Sequence, residues 1–369
     1  MSIVNQKAFG TVITRLINKE NISRQEAKEL FSQVLLNEQP EMQQGAFLAA
    51  LTAKGETAEE IAGSWEAIYE LDTVKVVPDV STPLVENCGT GMDTFKTFNI
   101  STAASIIAAA AGITMAKHGA RAITSACGTV DILEELGVDV ECDPEIVKTS
   151  IEKAGIGIFN GMSPKVHPQA LGRILSKISF GTTLNIAASL ANPALPCCGV
   201  RGVYAKELVE PVAKVMREIG YKKAIVVHGL AEDGVRGMDE ASVLGPTFAA
   251  ELSENGQITS YSFTPEDLGI KRGAGQSLAP SENREAEARR LLAVLNGREE
   301  GARTDIVCLN AGLVLYLMDL SSGIQEGYHK AKEIIGSGHA VNKLREWVSV
   351  QNSEPGRGLA KFDRLLSMA

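Results

Sequence analysis

The chain has 369 residues, a length that favours two lobes over one domain, and it is 44% hydrophobic but only 5% aromatic. This composition predicts a large aliphatic core and an ordinary soluble enzyme. The formal net charge of −9 argues against a general nucleic-acid or membrane-surface binder, because such proteins carry a basic footprint. Any anionic ligand must therefore be bound by local groups.

The cysteines and the N-terminus favour a reducing cytoplasm. The 6 cysteines show no CxxC spacing, and no secretory n-region or apolar h-region opens the chain. The apolar run "ISTAASIIAAAAGITMA" (100–116) is short and rich in alanine, so it predicts a buried helix followed by a strand rather than a membrane span.

The N-terminal region, residues 1–72, has a purely helical pattern. Ser23 with Glu26 and Thr57 with Glu60 fit the capping-box pattern, and apolar residues at helical spacing follow each pair. We expect this region to form a small all-helical domain.

A proline-containing linker, 72–83, separates this domain from a region in which strands and helices alternate. The predicted strands are "PLVENC" (83–88), "ITMAKH" (113–118), "VDVEC" (138–142), "GIGIF" (155–159), "KAIVVHG" (223–229) and "QITSYSF" (257–263). The predicted helices are 101–111, 129–136, 144–154, 168–178, 208–219, 281–296, 304–319, 324–335 and 339–350.

Such alternation is typical of parallel strands joined by crossover helices. The fold class is therefore α/β: the helical domain, completed by helices near 168–192, and a larger α/β domain, 73–351, with a central mainly parallel sheet flanked by helices. The pattern assigns no structure to the tail, 352–369.

A glycine loop follows the first strand in "ENCGTGMDTFKTFNIST" (86–102). Glycines at 89 and 91 allow successive backbone N–H groups to point at one position, and a helix N-terminus carries partial positive charge. Polar groups near that helix start come from Asn99, Ser101 and Thr102. The loop predicts an anion site, most plausibly for phosphate; a tight turn with helix caps is the alternative.

A second loop, in "AKHGARAITSACGTVDILEELGV" (116–138), groups cations in an otherwise acidic chain. Lys117, His118 and Arg121 precede polar residues at the entry to another helix, namely Ser125, Gly128 and Thr129. This arrangement would complement a second phosphate group. A solvated cluster of charges is the alternative.

A third segment, "VVHGLAEDGVRGMDEAS" (226–242), places Asp239 and Glu240 side by side in a loop after an apolar strand. Adjacent carboxylates suit Mg²⁺, which takes oxygen ligands and bridges to substrate phosphates. The alternative is an acidic pair on the surface.

Together these segments resemble the anthranilate phosphoribosyltransferase family over nearly the whole chain. "GTGMDTFKTFNIST" resembles the family's GTGGD…NxST motif, "KHGARAITSACGTVDILEELGV" its KHGNR…SG…D-LEALG motif, and "VVHG…MDE" its VHG…DE motif. The resemblance implies a homodimeric enzyme that binds 5-phosphoribosyl 1-diphosphate with Mg²⁺ and transfers the ribosyl phosphate from C1 to an aromatic amine. Such chemistry requires positioning and charge screening rather than a covalent nucleophile.

The resemblance also implies roles for individual residues. The diphosphate would be bound by Gly89, Thr90, Gly91, Asp93, Asn99, Ser101, Thr102, Lys117 and Thr129, the last in place of a serine. Mg²⁺ would be held by Asp239, Glu240 and Ser101. One departure is Met92, which replaces the second glycine of GTGGD and is expected to crowd the diphosphate or to change the path of the loop.

The acceptor region departs further from the family pattern. Ala120 replaces the asparagine of KHGNR that contacts anthranilate, Lys177 replaces an arginine, and "ASLANP" (188–193) replaces GPLTNP. The predicted acceptor-binding residues are His118, Ala120, His167 and Lys177. Two interpretations remain: anthranilate bound by other residues, with Arg173 among them, or another aromatic amine or an azole.

Other interpretations are weaker. A nucleoside phosphorylase shares the implied fold, but its Lys-His-Ser-Thr-Gly-Gly motif is not found in the sequence, and a non-catalytic nucleic-acid-binding relative should be basic. His167 and Arg173 could instead be a helix cap and a solvated charge. Arg201, in "RGVY" (201–204), is expected at a solvated strand edge, and a position near the site is the alternative.

Overall fold

The computed structural model describes residues 6–122, 127–178 and 180–369. Its N-terminal part consists of the helices α1 (Gln6–Ile17), α2 (Arg24–Leu35), α3 (Glu41–Lys54) and α4 (Ala58–Asp72). Both predicted capping boxes are present, at the start of α2 and of α4, so local sequence fixes where these helices begin.

The described residues of the larger part form an 8-stranded sheet in the order β3-β2-β1-β4-β5-β7-β8, with β6 paired to β5. The strands are β1 (Val85–Gly89), β2 (Met115–Gly119), β3 (Ile156–Asn160), β4 (Cys198–Gly202), β5 (Lys223–Leu230), β6 (Gly237–Met238), β7 (Thr247–Leu252) and β8 (Ile258–Phe263). β1 to β5 pair in parallel, whereas β6, β7 and β8 are antiparallel. The predicted α/β fold class is confirmed.

Helices cover both faces of the sheet. They are α5 (Ile100–Ala110), α6 (Thr129–Glu135), α7 (Pro144–Ala154), α8 (Leu171–Leu175), α9 (Thr183–Ala187), α10 (Val209–Glu218), α11 (Arg284–Leu295), α12 (Ala302–Leu317), α13 (Ile324–Gly336), α14 (His339–Val350) and α15 (Pro355–Met368). On one face α5 and α12 pack in a core with the C-terminal helices. On the other face α8, α9 and α10 share a core with α1 to α4.

The run 100–116 forms the buried helix α5 followed by β2, as predicted. Among the described residues, no helix combines the length and the apolar character that a membrane crossing requires.

Several predicted elements are wrong. "VDVEC" (138–142) is not a strand, because the edge of β3 is covered instead by the Gln351 side chain, which bonds the N–H and the C=O of Ile158 at 2.9 and 3.0 Å. The predicted helix 168–178 shrinks to α8, which begins only where the Asp72 carboxylate accepts the backbone N–H groups of the segment.

The sequence pattern does not predict β4, β7 or the two-residue strand β6. Glycine and an arginine interrupt the apolar pattern of β4, and β7 carries a glutamate. Residues 352–369 are not an unstructured tail, since most of them form α15, in which Phe362 and Leu365 are fully buried against the core.

Candidate active site

The predicted site loops meet at one edge of the sheet. β1, β2, β4 and β5 run in parallel, so their carboxyl ends lie together. The glycine loop follows β1 and the second loop follows β2. The two carboxylates follow β6, whose Met238 pairs with Gly229 near the carboxyl end of β5. This edge is where open α/β sheets bind ligands.

The glycine loop contains two successive residues in the left-handed conformation, and this stretch is named the nest. Gly91 and Met92 both have φ +68°, a left-handed conformation that is rare for a residue with a side chain. Met92 therefore adopts a backbone conformation that glycine takes more readily than a residue with a side chain. The Gly91 N–H donates to Asp239 Oδ2 at 2.7 Å, which ties the loop to the acidic pair.

Further backbone hydrogen bonds join the glycine loop to the segment that precedes Asp239. The backbone N–H groups of Thr94 and Phe95 donate to the Gly237 carbonyl at 3.1 and 2.9 Å, and the Gly237 N–H donates to Thr94 Oγ1 at 2.9 Å. A Cβ at Gly89 would collide with the Asp239 carboxylate, and one at Gly202 would collide with the Asp239 backbone. These glycines allow the carboxylates to approach the nest closely.

Asp239 and Glu240 are each only 8% exposed, so the surface-pair interpretation is wrong. Glu240 Oε2 is buried without a hydrogen-bond partner. Burial and the nearby charges of Asp239 and Asp93 raise the pKa of Glu240 well above its usual value. Burial and Asp239 also raise the pKa of Asp93 to about 6.

Asp239 accepts the Gly91 N–H and Asp93 pairs with Lys96 at 3.4 Å, whereas Glu240 Oε2 has no partner. A divalent cation fits this group, because it would reduce the mutual repulsion of the carboxylates and occupy the free oxygen. No group of three or more His, Cys, Asp or Glu side chains in the described parts of the chain is arranged to hold a metal ion by itself. A Mg²⁺ ion here would thus take further ligands from water or substrate phosphates.

The start of α5 presents fewer free donors than the sequence suggested. Asn99 precedes α5 without capping it, and its side chain donates to the Cys127 carbonyl at 3.3 Å. Ser101 is half-buried, while Thr102 is fully buried and its hydroxyl has no partner. Asn99 thus connects the first loop to the second.

The ammonium of Lys117 lies beneath the glycine loop, between β1 and α5, and not among the groups of the proposed diphosphate site. It is fully buried, and its ammonium donates to the Asn87 carbonyl at 2.6 Å and to Ser105 Oγ at 3.1 Å. Burial lowers the pKa of Lys117 to about 8. In this structure it supports β1 and α5 and contributes positive charge from below.

Arg121 is committed to carboxylates. Its guanidinium bonds Asp131 at 3.2 Å, Glu134 at 2.8 Å and Glu141 at 2.8 Å, so it is not free for a phosphate. Asp131 also accepts the Gly128 N–H at 3.0 Å and thereby caps α6, whose first residue is Thr129. Ser125 lies outside the described residues.

His118 and His167 form a buried pair whose Nε2 atoms are 3.1 Å apart. His167 Nδ1 lies 2.7 Å from the Asp72 carbonyl and must donate to it, so in a neutral ring its Nε2 accepts. The proton between the rings then belongs to His118 Nε2. Burial lowers the pKa of His118 to about 3 and also lowers the pKa of His167, so both rings are neutral at neutral pH.

The predicted cations of the acceptor region are directed elsewhere. Lys177 forms an exposed ion pair with Glu41 at the start of α3. Arg173 donates to the Val34 carbonyl at 2.7 Å and to Gln44 at 3.2 Å, so it binds the end of α2 rather than solvent. Neither points its charge at the histidine pair.

The Met92 side chain extends from the glycine loop to Gly181. Its side chain is 38% exposed and lies against Gly181, where a Cβ would collide with its methyl group. Ala120 lies in the second loop, directly after β2, and is exposed.

The site has two sides. The donor side is the loop 89–93 with Asp239 and Glu240. The acceptor side is His118, His167 and the segment 188–192.

Sequence reasoning missed the buried polar groups beneath the acceptor side. Arg201 is 1% exposed and pairs with Glu86, which is 2% exposed, so its assignment to a solvated strand edge is wrong. Opposite charges inside two apolar strands were the available signal, because such charges are buried only when paired.

Comparison with known proteins agrees with this geometry. The family model for the glycosyl transferase family, a/b domain, matches residues 81–341, and the model for its helical bundle domain matches residues 11–71. The chain is 39% identical over 342 residues to the anthranilate phosphoribosyltransferase of Methanococcoides burtonii, covering 91% of this chain and 92% of that protein. It is 36% identical over 350 residues to that of Desulfosudis oleivorans, covering 94% and 99%.

Solved structures give the same result. The anthranilate phosphoribosyltransferase of Thermus thermophilus superposes with a TM-score of 0.82 at 31% identity, covering 92% of this chain and 98% of that one. The Saccharomyces cerevisiae enzyme in complex with PRPP and Mg has a TM-score of 0.81 at 23% identity, covering 95% and 99%, a likeness of fold. On this evidence the chain belongs to the anthranilate phosphoribosyltransferase family of glycosyl transferases.

Proposed function

We propose that the protein transfers the 5-phosphoribosyl group from phosphoribosyl diphosphate to the nitrogen of an aromatic amine, with release of pyrophosphate. The acceptor is anthranilate, which the names of its relatives specify, or a related amine or azole. The observation that carries the proposal is the donor side, where a left-handed backbone nest meets buried carboxylates, one of them with an unpartnered oxygen.

The donor side would hold and activate the leaving group. Gly89, Thr90, Gly91 and Asp93 line the proposed diphosphate site, with Asn99, Ser101, Thr102, Lys117 and Thr129 around it. Mg²⁺ held by Asp239 and Glu240, with Ser101 as a further proposed ligand, would screen the charge that develops on pyrophosphate. The Saccharomyces cerevisiae relative was solved in complex with PRPP and Mg, which supports this choice of ligands.

The acceptor side would place the amine for attack on C1. The C1–O bond breaks as the N–C1 bond forms, and the amine nitrogen then loses one proton to a base or to solvent. His118 would orient the acceptor through Nδ1, which carries no proton in this tautomer and can accept a hydrogen bond from the amine, while His167 holds the His118 ring and Ala120 leaves room beside it. Lys177 would contribute only by leaving Glu41, to which it is paired.

One experiment tests the proposal. The purified protein is incubated with phosphoribosyl diphosphate and Mg²⁺, anthranilate is offered beside a panel of aromatic amines and azoles, and pyrophosphate release is followed. We expect release that depends on both Mg²⁺ and an acceptor. The enzyme assignment fails if no acceptor reacts and calorimetry shows no binding of the diphosphate.

The assembly is a further part of the proposal. We propose a homodimer formed through the helical part, residues 1–72 with the helices near 168–192, in a reducing cytoplasm. Exposed apolar side chains in this part, Met42 at 88% and Ile17 at 64%, support the dimer. The six cysteines, all free thiols, support the reducing compartment. Sedimentation at micromolar concentration should give twice the chain mass, and Met42→Glu should shift the protein toward monomer.

A further inference from the structure

Arg201 lies in the middle of β4 and is bound almost entirely by protein groups. Its Nη2 donates to Glu86 Oε2 at 3.0 Å, and both side chains are at most 2% exposed. Tyr221 donates to the same oxygen at 3.1 Å, and Asn192 donates to Glu86 Oε1 at 3.0 Å. The buried carboxylate is therefore fully satisfied.

The remaining donors of Arg201 hold Ser189. Nη1 donates to Ser189 Oγ at 3.2 Å and to Cys88 Sγ at 2.8 Å, and Nη2 donates to the Ser189 carbonyl at 3.3 Å. A planar guanidinium that bonds both the side chain and the backbone of one residue fixes its orientation as well as its position.

The segment 188–192 is consequently tied at both ends. Arg201 holds Ser189, while the Asn192 side chain bonds Glu86 and, at 2.8 Å, the Ala116 carbonyl of β2. The segment forms turns rather than a helix or a strand. Besides these ties, the Leu190 N–H donates to the Ile186 carbonyl at 3.2 Å and the Leu190 carbonyl accepts from Trp65 Nε1 at 2.9 Å. Between these ties, the Ser189 carbonyl lies 3.5 Å from His118 Nδ1, and because Nδ1 carries no proton when Nε2 does, the two atoms are neighbours without a hydrogen bond.

A buried ion pair is weak evidence of stabilisation, because an apolar pair of similar volume is often as stable. Its specific effect is to impose one geometry on the groups around it. We infer that the Arg201–Glu86 pair positions the acceptor side, by holding segment 188–192 so that the Ser189 carbonyl and the His118 ring keep a fixed relation. Arg201 is thus a positioning residue, and the inference rests on the proposed function, which assigns this side to the acceptor.

The sequence of the segment is consistent with this role. Ser189 stands where the family's GPLTNP pattern has proline, and a proline would offer Arg201 no hydroxyl. Arg201 and Ser189 therefore form a contact that depends on this departure.

The decisive variant removes the pair without leaving a charge unpaired. Glu86→Gln with Arg201→Met keeps the volumes and is expected to fold, judged by circular dichroism and thermal unfolding. We expect kcat/KM for the acceptor to fall about 10- to 100-fold, as for a small misplacement of a reacting group, with KM for phosphoribosyl diphosphate changed less than about twofold. Arg201→Lys, which keeps charge but not the fork, should fall between wild type and the double variant.

A matched control comes from a second buried pair, Arg303 with Glu287, at 1% and 2% exposure and 3.0 Å. Glu287→Gln with Arg303→Met should change thermal stability without a selective loss for the acceptor. The inference is overturned if a folded Glu86→Gln, Arg201→Met variant keeps the acceptor kinetics of wild type, or if the control loses acceptor efficiency equally.

A second readout does not depend on turnover. The chain has 5 histidines, so the imidazole ¹⁵N signals of His118 can be assigned with a His118→Gln variant. They should shift in the double variant and stay unchanged in the control; unchanged signals in both would overturn the inference. If wild type neither binds the diphosphate nor releases pyrophosphate, the proposed function fails while these signals still decide the positioning role.

Discussion

The donor and acceptor sides handle buried charge in opposite ways. On the donor side, Asp93, Asp239 and Glu240 crowd together, and Glu240 Oε2 has no partner. On the acceptor side, the Arg201–Glu86 pair is complete and both histidines are neutral. The first arrangement requires a cation from outside, whereas the second is complete before any ligand arrives. The donor side is therefore built for charge, and the acceptor side for shape and hydrogen bonding.

The comparison would break most clearly if the donor carboxylates were dispensable. Asp239→Asn with Glu240→Gln should lower kcat by about 10³-fold or more, about 4 kcal/mol, because the charge on pyrophosphate is no longer screened. Steady-state pyrophosphate release measures this loss, and Mg²⁺ should no longer raise the unfolding temperature. Glu254→Gln, an exposed carboxylate in the β7–β8 hairpin, is the control. Unchanged Mg²⁺-dependent turnover would remove the metal role.

A substitution in the glycine loop tests the position of the Asp239 carboxylate without removing a charge. Gly89→Ala would push a methyl group into the Asp239 carboxylate and displace it from the Gly91 N–H. We expect kcat/KM to fall about 10²-fold, since a 1 Å misplacement at a reacting centre has about that effect. Gly45→Ala in α3, where a Cβ meets no atom within 4 Å, should leave the kinetics unchanged. Wild-type kinetics in Gly89→Ala would show that the close approach of these loops is not required.

The acceptor side predicts a dependence of stability on pH. Burial, followed by the neighbouring His167 and Arg201, lowers the pKa of His118 to about 3, so the unfolded chain binds this proton first as pH falls below about 6.5. The free energy of unfolding is therefore not reduced by this histidine above that pH. Below it, the free energy of unfolding decreases by about 1.4 kcal/mol per pH unit.

In His118→Gln, position 118 no longer binds a proton in either the folded or the unfolded state. The difference in unfolding free energy between wild type and His118→Gln, measured with urea, should therefore shrink by about 2 kcal/mol between pH 6.5 and pH 5. His329→Gln, at an exposed position on α13, should keep a constant difference from wild type. Parallel curves for His118→Gln would mean that the buried ring is not neutral.

The donor side was more predictable from sequence than the acceptor side, for a physical reason. Its loop depends on local features, a strand end, glycines and a helix start, which neighbouring residues specify. The capping boxes of α2 and α4 were predictable for the same reason. Asp239 was expected in its loop, although its bond to Gly91 spans 148 positions and was not foreseen.

The acceptor side depends on contacts between residues distant in the chain. Arg201 pairs with Glu86 across 115 positions, and Arg173 binds the end of α2 across 139. A charge inside a strand can be read as an exposed edge until its partner is known, and Arg201 was misread in this way. Lys117 illustrates the limit on the donor side, because the motif gave its strand but not the direction of its ammonium.

The smallest predicted effect concerns Met92, which lies in the donor-side loop and packs against Gly181. Met92→Gly relieves a left-handed conformation that costs a side-chain-bearing residue about 1 kcal/mol, but it removes the contact with Gly181 and frees the unfolded chain. These opposing terms should leave the free energy of unfolding within about 1 kcal/mol of wild type and KM for phosphoribosyl diphosphate within about threefold. Urea unfolding and initial rates at varied diphosphate measure the two quantities. A tenfold or larger gain in donor affinity would mean that Met92 obstructs the nest, and that the donor side, too, departs from its relatives.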